Sequence, residues 1–178
     1  MRSRFFHTRL MVFGTALVLS VGSSLAACVS GDVLTSAGAG FAADINSANK
    51  TFTDRYNTAP IEGQQAVAEP WKDVAAQYTD DATFAGTLQP FWLEGKDEIE
   101  DLWKRFFTAW PTRNIEFRHR RVCSYDGAAV ETGFIEMYMG GPDKGTVITY
   151  IRYSRTWVRS EKGDWQIANM NVSRLPGN

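Results

Sequence analysis

Three turn signals cut the last third of this chain into long segments of similar length, and no other feature restricts the fold as strongly. Asp126-Gly127 is a two-residue hairpin signal. Gly140-Gly141-Pro142-Asp143-Lys144-Gly145 is a second turn, and Ser160 to Asp164 is a third. The segments 113–124, 128–139, 146–158 and 165–174 are therefore expected as four strands. All are longer than the average strand, as a strongly curved antiparallel sheet requires.

Ahead of this meander the apolar period is helical. Phe41, Ile45, Ala48, Phe52 and Tyr56 fall on one helix face. Thr58 to Gly63 is a break containing Pro60. A second helix is expected from Pro70, with Trp71, Val74, Ala75 and Tyr78 as its apolar face and Asp80-Asp81 as its end. Ala82–Thr87 and Pro90–Leu93 read as two short strands around a turn. Gly95 then precedes a third helix whose stripe is Ile99, Leu102, Trp103, Phe106 and Trp110. Its acids come early and Lys104 and Arg105 late, which suits the helix dipole, and Pro111 stops it. Helices followed by a long meander define an α+β class.

Residues 1–27 have the layout of an export signal. Arg2, Arg4 and Arg9 precede the apolar run 10–19, and small residues lead to Leu25-Ala26-Ala27-Cys28. The run is short for a transmembrane helix. Leu-Ala-Ala-Cys resembles the lipobox of bacterial lipoproteins, which implies lipid on Cys28, membrane attachment through it and a cell-envelope location, in the outer membrane where the host has one. Ordinary cleavage near Ala27 and an uncleaved anchor are the alternatives. With lipid on Cys28, Cys123 would lack an intramolecular partner. Residues 28–40, small and Gly-rich, are expected as a flexible tether, and 41–176 as one folded unit. Nineteen Lys+Arg against twenty Asp+Glu give a net charge of −1, so no basic field favours nucleic acid. Two histidines are too few for a His-rich metal site, and neither a metal nor a cofactor is expected.

The turns also predict facing, because register decides which side chains share a face. Tight turns at Asp126-Gly127, at Pro142-Asp143 and around Glu161 would set Arg121 opposite Thr132, Phe134 opposite Ile151 and Arg155 opposite Ile167. The inner face then holds Ile115, Phe117, Phe134, Val147, Ile151, Trp157, Trp165 and Ile167. It also holds His119, Arg121, Glu136, Tyr153, Arg155, Asn169 and Asn171, too many polar groups for a dry core. A pocket lined by these seven is the expectation. The opposite face would carry Ile135, Met137, Met139, Ile148, Tyr150, Val158, Met170 and Val172 beside Arg118, Arg120 and Arg152. An apolar outer face of that extent predicts a cover, a second copy in a homodimer being the expectation and the N-terminal segment or a terminal tail the alternative. A bulge in any strand would break this parity beyond it.

Tyr78-Thr79-Asp80-Asp81-Ala82-Thr83-Phe84, Gly95 before a helix, Ser154-Arg155-Thr156-Trp157, Trp165-Gln166-Ile167 and Ser173 resemble, in order and spacing, the nuclear transport factor 2-like superfamily. Its SnoaL-like branch and the association domain of calcium/calmodulin-dependent kinase II look nearest. The resemblance implies a cone-like curved antiparallel sheet wrapped around three N-terminal helices, with a pocket at the open end. It also implies that Arg155 projects into that pocket and that related domains dimerise through the outer face.

The same resemblance shows what is missing. Counted from Asp80-Asp81-Ala82-Thr83, the catalytic aspartate of ketosteroid isomerases falls on Gly86, which cannot take a proton. The His-x-His of kinase-associated relatives falls on Asn169 and Asn171, neutral amides that orient a ligand but do not act as acid or base. Cys123 lies four residues from His119, roughly 13 Å along a strand and too far for activation. The leading reading is a lipid-anchored domain that binds a small, anionic or carbonyl-bearing molecule at Arg155 without catalysis. Two others stand beside it: a cofactor-independent hydratase, dehydratase or cyclase using Glu136, His119 or Tyr153, and a scaffold domain of an envelope complex.

Overall fold

The computed structural model describes residues 27–31, 40–57, 69–87, 91–141 and 145–175. The signal segment before Ala27, the tether over 32–39, the break around Pro60 and the Pro142–Lys144 turn lie outside the described residues. The elements in chain order are β1 (Ala27–Gly31), α1 (Gly40–Tyr56), α2 (Pro70–Ala75), β2 (Tyr78–Ala85), β3 (Leu93–Glu94), α3 (Lys96–Ala109), β4 (Thr112–Tyr125), β5 (Ala128–Gly141), β6 (Gly145–Arg159) and β7 (Trp165–Arg174). They form one curved, unclosed sheet in the order β1-β4-β5-β6-β7-β2-β3, with the helices against its inner face. Neighbours are antiparallel except β2, which runs parallel to β7. The architecture is the expected α+β cone.

α1 forms where its apolar spacing predicts, and Ile45, Phe52 and Tyr56 are buried along it. It is tied to the sheet at its end. The Asn57 side chain donates to the Ile115 carbonyl (3.1 Å) and accepts the Ile115 N–H (2.7 Å), so one amide substitutes for a strand neighbour. α2 is shorter than predicted. It stops at Ala75, and Tyr78 to Asp81 belong to β2, because an apolar Tyr78 fits a strand as well as a helix face. α3 opens at Gly95, whose φ of +87° a residue with a side chain rarely adopts. The Glu98 carboxylate accepts the Glu94 N–H (3.0 Å) at the same end. Trp103 and Phe107 of α3 pack edge-on against Tyr56, with ring centroids 5.7 and 5.3 Å away.

The four long strands match their predicted spans to within two residues, yet half of the predicted facing is inverted. Three single-residue events account for it. The β5–β6 loop closes on a Gly141–Gly145 pair, one residue wider than the tight turn assumed, and this turns every β5 side chain to the other face. The β4–β5 ladder shifts between Arg118 and Arg121, where His119 takes φ +49° as a bulge residue. The β6–β7 ladder shifts again between Trp157↔Ile167 and Thr156↔Asn169. The inner face consequently holds Arg120, Val122, Ala129, Glu131, Ile135, Met137, Met139, Met170 and Val172 with Ile115, Phe117, Ile151, Tyr153, Arg155 and Trp157. Gly133 on β5 makes room for Tyr153; a Cβ there would stand 2.8 Å from the Arg118 carbonyl and 3.0 Å from the Tyr153 ring.

The N-terminal expectation also changes. Residues 27–31, predicted as the end of the signal and the start of a tether, form edge strand β1 on β4. Cys28 lies opposite Cys123 in that ladder, and the two are joined as a disulfide. Cys123 therefore has an intramolecular partner. Thioether lipidation of Cys28 would need the same sulfur, so the expected lipid attachment and this disulfide exclude each other.

Candidate ligand-binding site

The inward face of the cone has two parts of opposite character, an ionic cluster and an apolar cavity. The cluster is centred on Glu131 of β5. The β4 bulge turns Arg120 inward and the β5–β6 ladder sets Arg155 directly opposite Glu131. Glu131 Oε1 accepts Arg120 Nε (2.6 Å) and the Tyr153 hydroxyl (2.9 Å); Oε2 accepts Trp157 Nε1 (2.7 Å) and Arg155 Nε (3.0 Å). The two guanidiniums continue to α1, where Arg120 Nη1 donates to Asn46 Oδ1 (2.6 Å) and Arg155 Nη2 donates to Asn49 Oδ1. Phe117 and Trp157 flank Arg155, with ring centroids 4.2 and 4.7 Å from its guanidinium carbon. Burial alone would raise the Glu131 carboxyl; the charges and hydrogen bonds of Arg155 and Arg120 outweigh it and bring it down to about 2.

Beside this cluster, between α3 and the sheet, opens a cavity of about 400 Å³. The sheet supplies Ile115, Ile135, Met137, Met139, Ile151, Met170 and Val172, and the helices supply Phe52, Tyr56, Leu102, Trp103, Phe106 and Trp110. Its polar content is small. Tyr56 donates weakly to Met137 Sδ (3.8 Å), and burial pushes its phenol pKa up, with the Arg113 charge opposing, so the ring stays neutral. Among the described residues the buried Thr149 hydroxyl has no hydrogen-bond partner. Among the described residues Arg105 and Arg174 are the charged side chains in the wall, and both are exposed. Gly86 also lines it, so the position that the resemblance assigns to an isomerase aspartate does face the cavity and carries no carboxylate.

None of the seven residues predicted to line a pocket lines this one. Tyr153 and Arg155 do face inward but are held by Glu131. Asn169 lies on the outer face, where its amide donates to Thr83 Oγ1 (2.7 Å), and Asn171 is exposed. His119 is the exposed bulge residue, edge-on to Phe134 at 6.1 Å. Arg121 is exposed, with Nη2 3.9 Å from Cys28 Sγ. Glu136 lies on the outer face. It accepts Tyr138 (2.7 Å), Arg118 and Tyr150 (both 3.4 Å), and the Tyr138 bond, with Arg118, holds its carboxyl below the usual range. The acid–base groups considered for an enzyme are thus scattered rather than convergent. Sequence reasoning missed Glu131 and Arg120 and assigned Ile135, Met137, Met139, Met170 and Val172 to the outside. The signal was present in the two unbroken odd-numbered sets, 135-137-139 and 147-149-151, which become neighbours once β5 moves by one residue.

The sequence model of the SnoaL-like domain family matches residues 67–167, and the chain belongs to that family. None of the curated proteins matches it by sequence. Among solved structures it is similar to a ketosteroid isomerase-like protein from Erwinia carotovora atroseptica, with 21% identity and a TM-score of 0.59 over 75% of this chain and 95% of that one. It is similar to ActVI-ORFA from Streptomyces coelicolor, with 16% identity and a TM-score of 0.61 over 76% and 98%. A protein of the nuclear transport factor 2-like family from Streptomyces avermitilis shares 12% identity and a TM-score of 0.62 over 75% and 94%. At these identities the likeness is one of fold.

Proposed function

We propose that this domain binds a largely apolar small molecule in the cavity between α3 and the sheet and carries out no chemistry on it. The observation that carries the reading is the wall itself: among the described residues it presents apolar and aromatic groups, a neutral phenol, an unpartnered buried hydroxyl at Thr149 and, at its exposed side, Arg105 and Arg174, and no carboxylate, imidazole or thiol. Cavities of this size and lining are typical small-molecule sites. A general base, which the family's isomerases need, is not supplied by any lining group among the described residues. The anion preference expected from Arg155 is withdrawn, because its guanidinium is buried on Glu131 and Asn49 and is absent from the cavity wall.

The test uses N-phenyl-1-naphthylamine, an uncharged probe that fluoresces in apolar surroundings. It is expected to bind the wild-type chain, and Ala109→Trp, which fills the cavity from the end of α3, is expected to weaken binding at least about tenfold while circular dichroism stays native. Equal binding by both proteins would place the probe elsewhere and refute the reading.

Export is part of the same proposal. The charged start and apolar run of residues 1–19 and the Cys28–Cys123 disulfide both suit a chain that folds in an oxidising compartment. A homodimer through the outer face is also proposed, on a narrower patch than expected. Ile148 and Tyr150 remain 54% and 43% exposed there, whereas Ile135, Met137 and Met170 are inside. Ile148→Asp should shift the protein from dimer to monomer in sedimentation; a monomeric wild type would end that proposal.

A further inference from the structure

We propose that the occupant of the cavity is an amphipathic carboxylate, with its apolar body against the sheet and its carboxylate at the open side between Arg105 and Arg174. This rests on the reading of the cavity as a binding site and adds the class of ligand. Arg105 comes from the third turn of α3, one turn before Ala109, and Arg174 is the last residue of β7. The two arrive at one cavity wall from different elements. Among the described residues neither guanidinium makes a hydrogen bond or an ion pair, and Asp101, one turn earlier on α3, is not joined to Arg105. Among the described residues the wall contains no Asp or Glu to neutralise them. Two uncompensated positive charges therefore border an interior that is apolar apart from the Tyr56 and Thr149 hydroxyls and the Trp103 indole N–H.

That arrangement sorts ligands by their ends. A chain or ring system gains from leaving water for the methionine- and aromatic-lined interior. A carboxylate on the same molecule stays at the exposed side, where it keeps part of its hydration and accepts the planar donor fork of an arginine. An alcohol of equal length would gain the apolar term alone. An amine would be repelled by both arginines. Arg155 contributes nothing to this selection, since it is closed off in the Glu131 cluster and absent from the cavity wall.

The experiment is competition against N-phenyl-1-naphthylamine on the full chain, using decanoate, 1-decanol and decylamine at neutral pH. Decanoate is expected to displace the probe at a concentration about tenfold below decanol, with decylamine weakest. The decanoate-to-decanol ratio, taken within each protein so that changes in probe affinity cancel, should fall to about twofold or less in Arg105→Gln/Arg174→Gln. Added salt should weaken decanoate and leave decanol unaffected. Equal displacement by decanoate and decanol in the wild type overturns the inference and leaves the binding reading intact. A preference that survives the double substitution also overturns it. Failure of the uncharged probe to bind at all removes the binding reading, and the inference with it.

Discussion

Glu131→Leu is expected to be the most damaging single substitution in the sheet, costing about 3–5 kcal/mol and lowering the melting temperature by on the order of 10 °C. The variant leaves Arg120 and Arg155 buried, like-charged and without their shared carboxylate, and it strips Tyr153 and Trp157 of an acceptor. Removing one partner of a buried ionic group is worse than removing the group, because the remaining charge stays desolvated. The same residue sets an acid limit. Its folded pKa of about 2 lies below the ordinary 4.5, so its contribution is fully present above pH 4.5 and is lost as pH falls towards 2. The shift corresponds to roughly 3 kcal/mol. Urea unfolding of wild type and variant at several pH values checks both statements. A variant within 1 kcal/mol of wild type, roughly the size of an average point mutation, would show that the cluster does not hold the fold.

Replacing either cysteine by serine should cost about 2–4 kcal/mol, and the two substitutions should cost the same. The disulfide closes a loop spanning a sequence separation of 95 residues, so opening it releases a large share of the unfolded chain's freedom. Equality is the informative part. A cross-link needs both sulfurs, whereas a lipid on Cys28 would make Cys28→Ser change membrane partition and Cys123→Ser change nothing. Mass spectrometry after alkylation, with and without reductant, gives the direct reading. A free Cys123 thiol in the oxidised native protein would contradict the structure.

Strand spans were readable from sequence because turns announce themselves chemically. Asp126-Gly127, the glycines around Pro142 and Gly163 mark the ends of β4 to β7. Facing was not readable to the same degree, since it depends on single residues that leave no compositional mark. One extra residue in the β5–β6 loop sent Glu131 and Met137 inward and Glu136 outward. The bulge at His119 exchanged Arg121 for Arg120. The extra residue at Ala168 in β7 carried Asn169 and Asn171 outside. Those three shifts moved the cavity from a polar description to an apolar one while leaving the architecture unchanged. β1 was hidden for another reason: Ala27-Cys28-Val29-Ser30-Gly31 has the small side chains of a processing site, and its partner strand lies 95 residues away at Cys123.

The position of the cross-link also decides how the sheet responds to tension. A pull on the chain ahead of Cys28 passes through the disulfide and loads β4 at Cys123, three residues before the Asp126-Gly127 turn, so the pairs from Val29↔Val122 to Gly31↔Arg120 carry none of it. With the bond open, the same pull reaches Ala27↔Ser124 first and peels β1 from the sheet edge one pair after another. A single covalent bond thus separates a strand that is loaded at one fixed point from a strand that unzips.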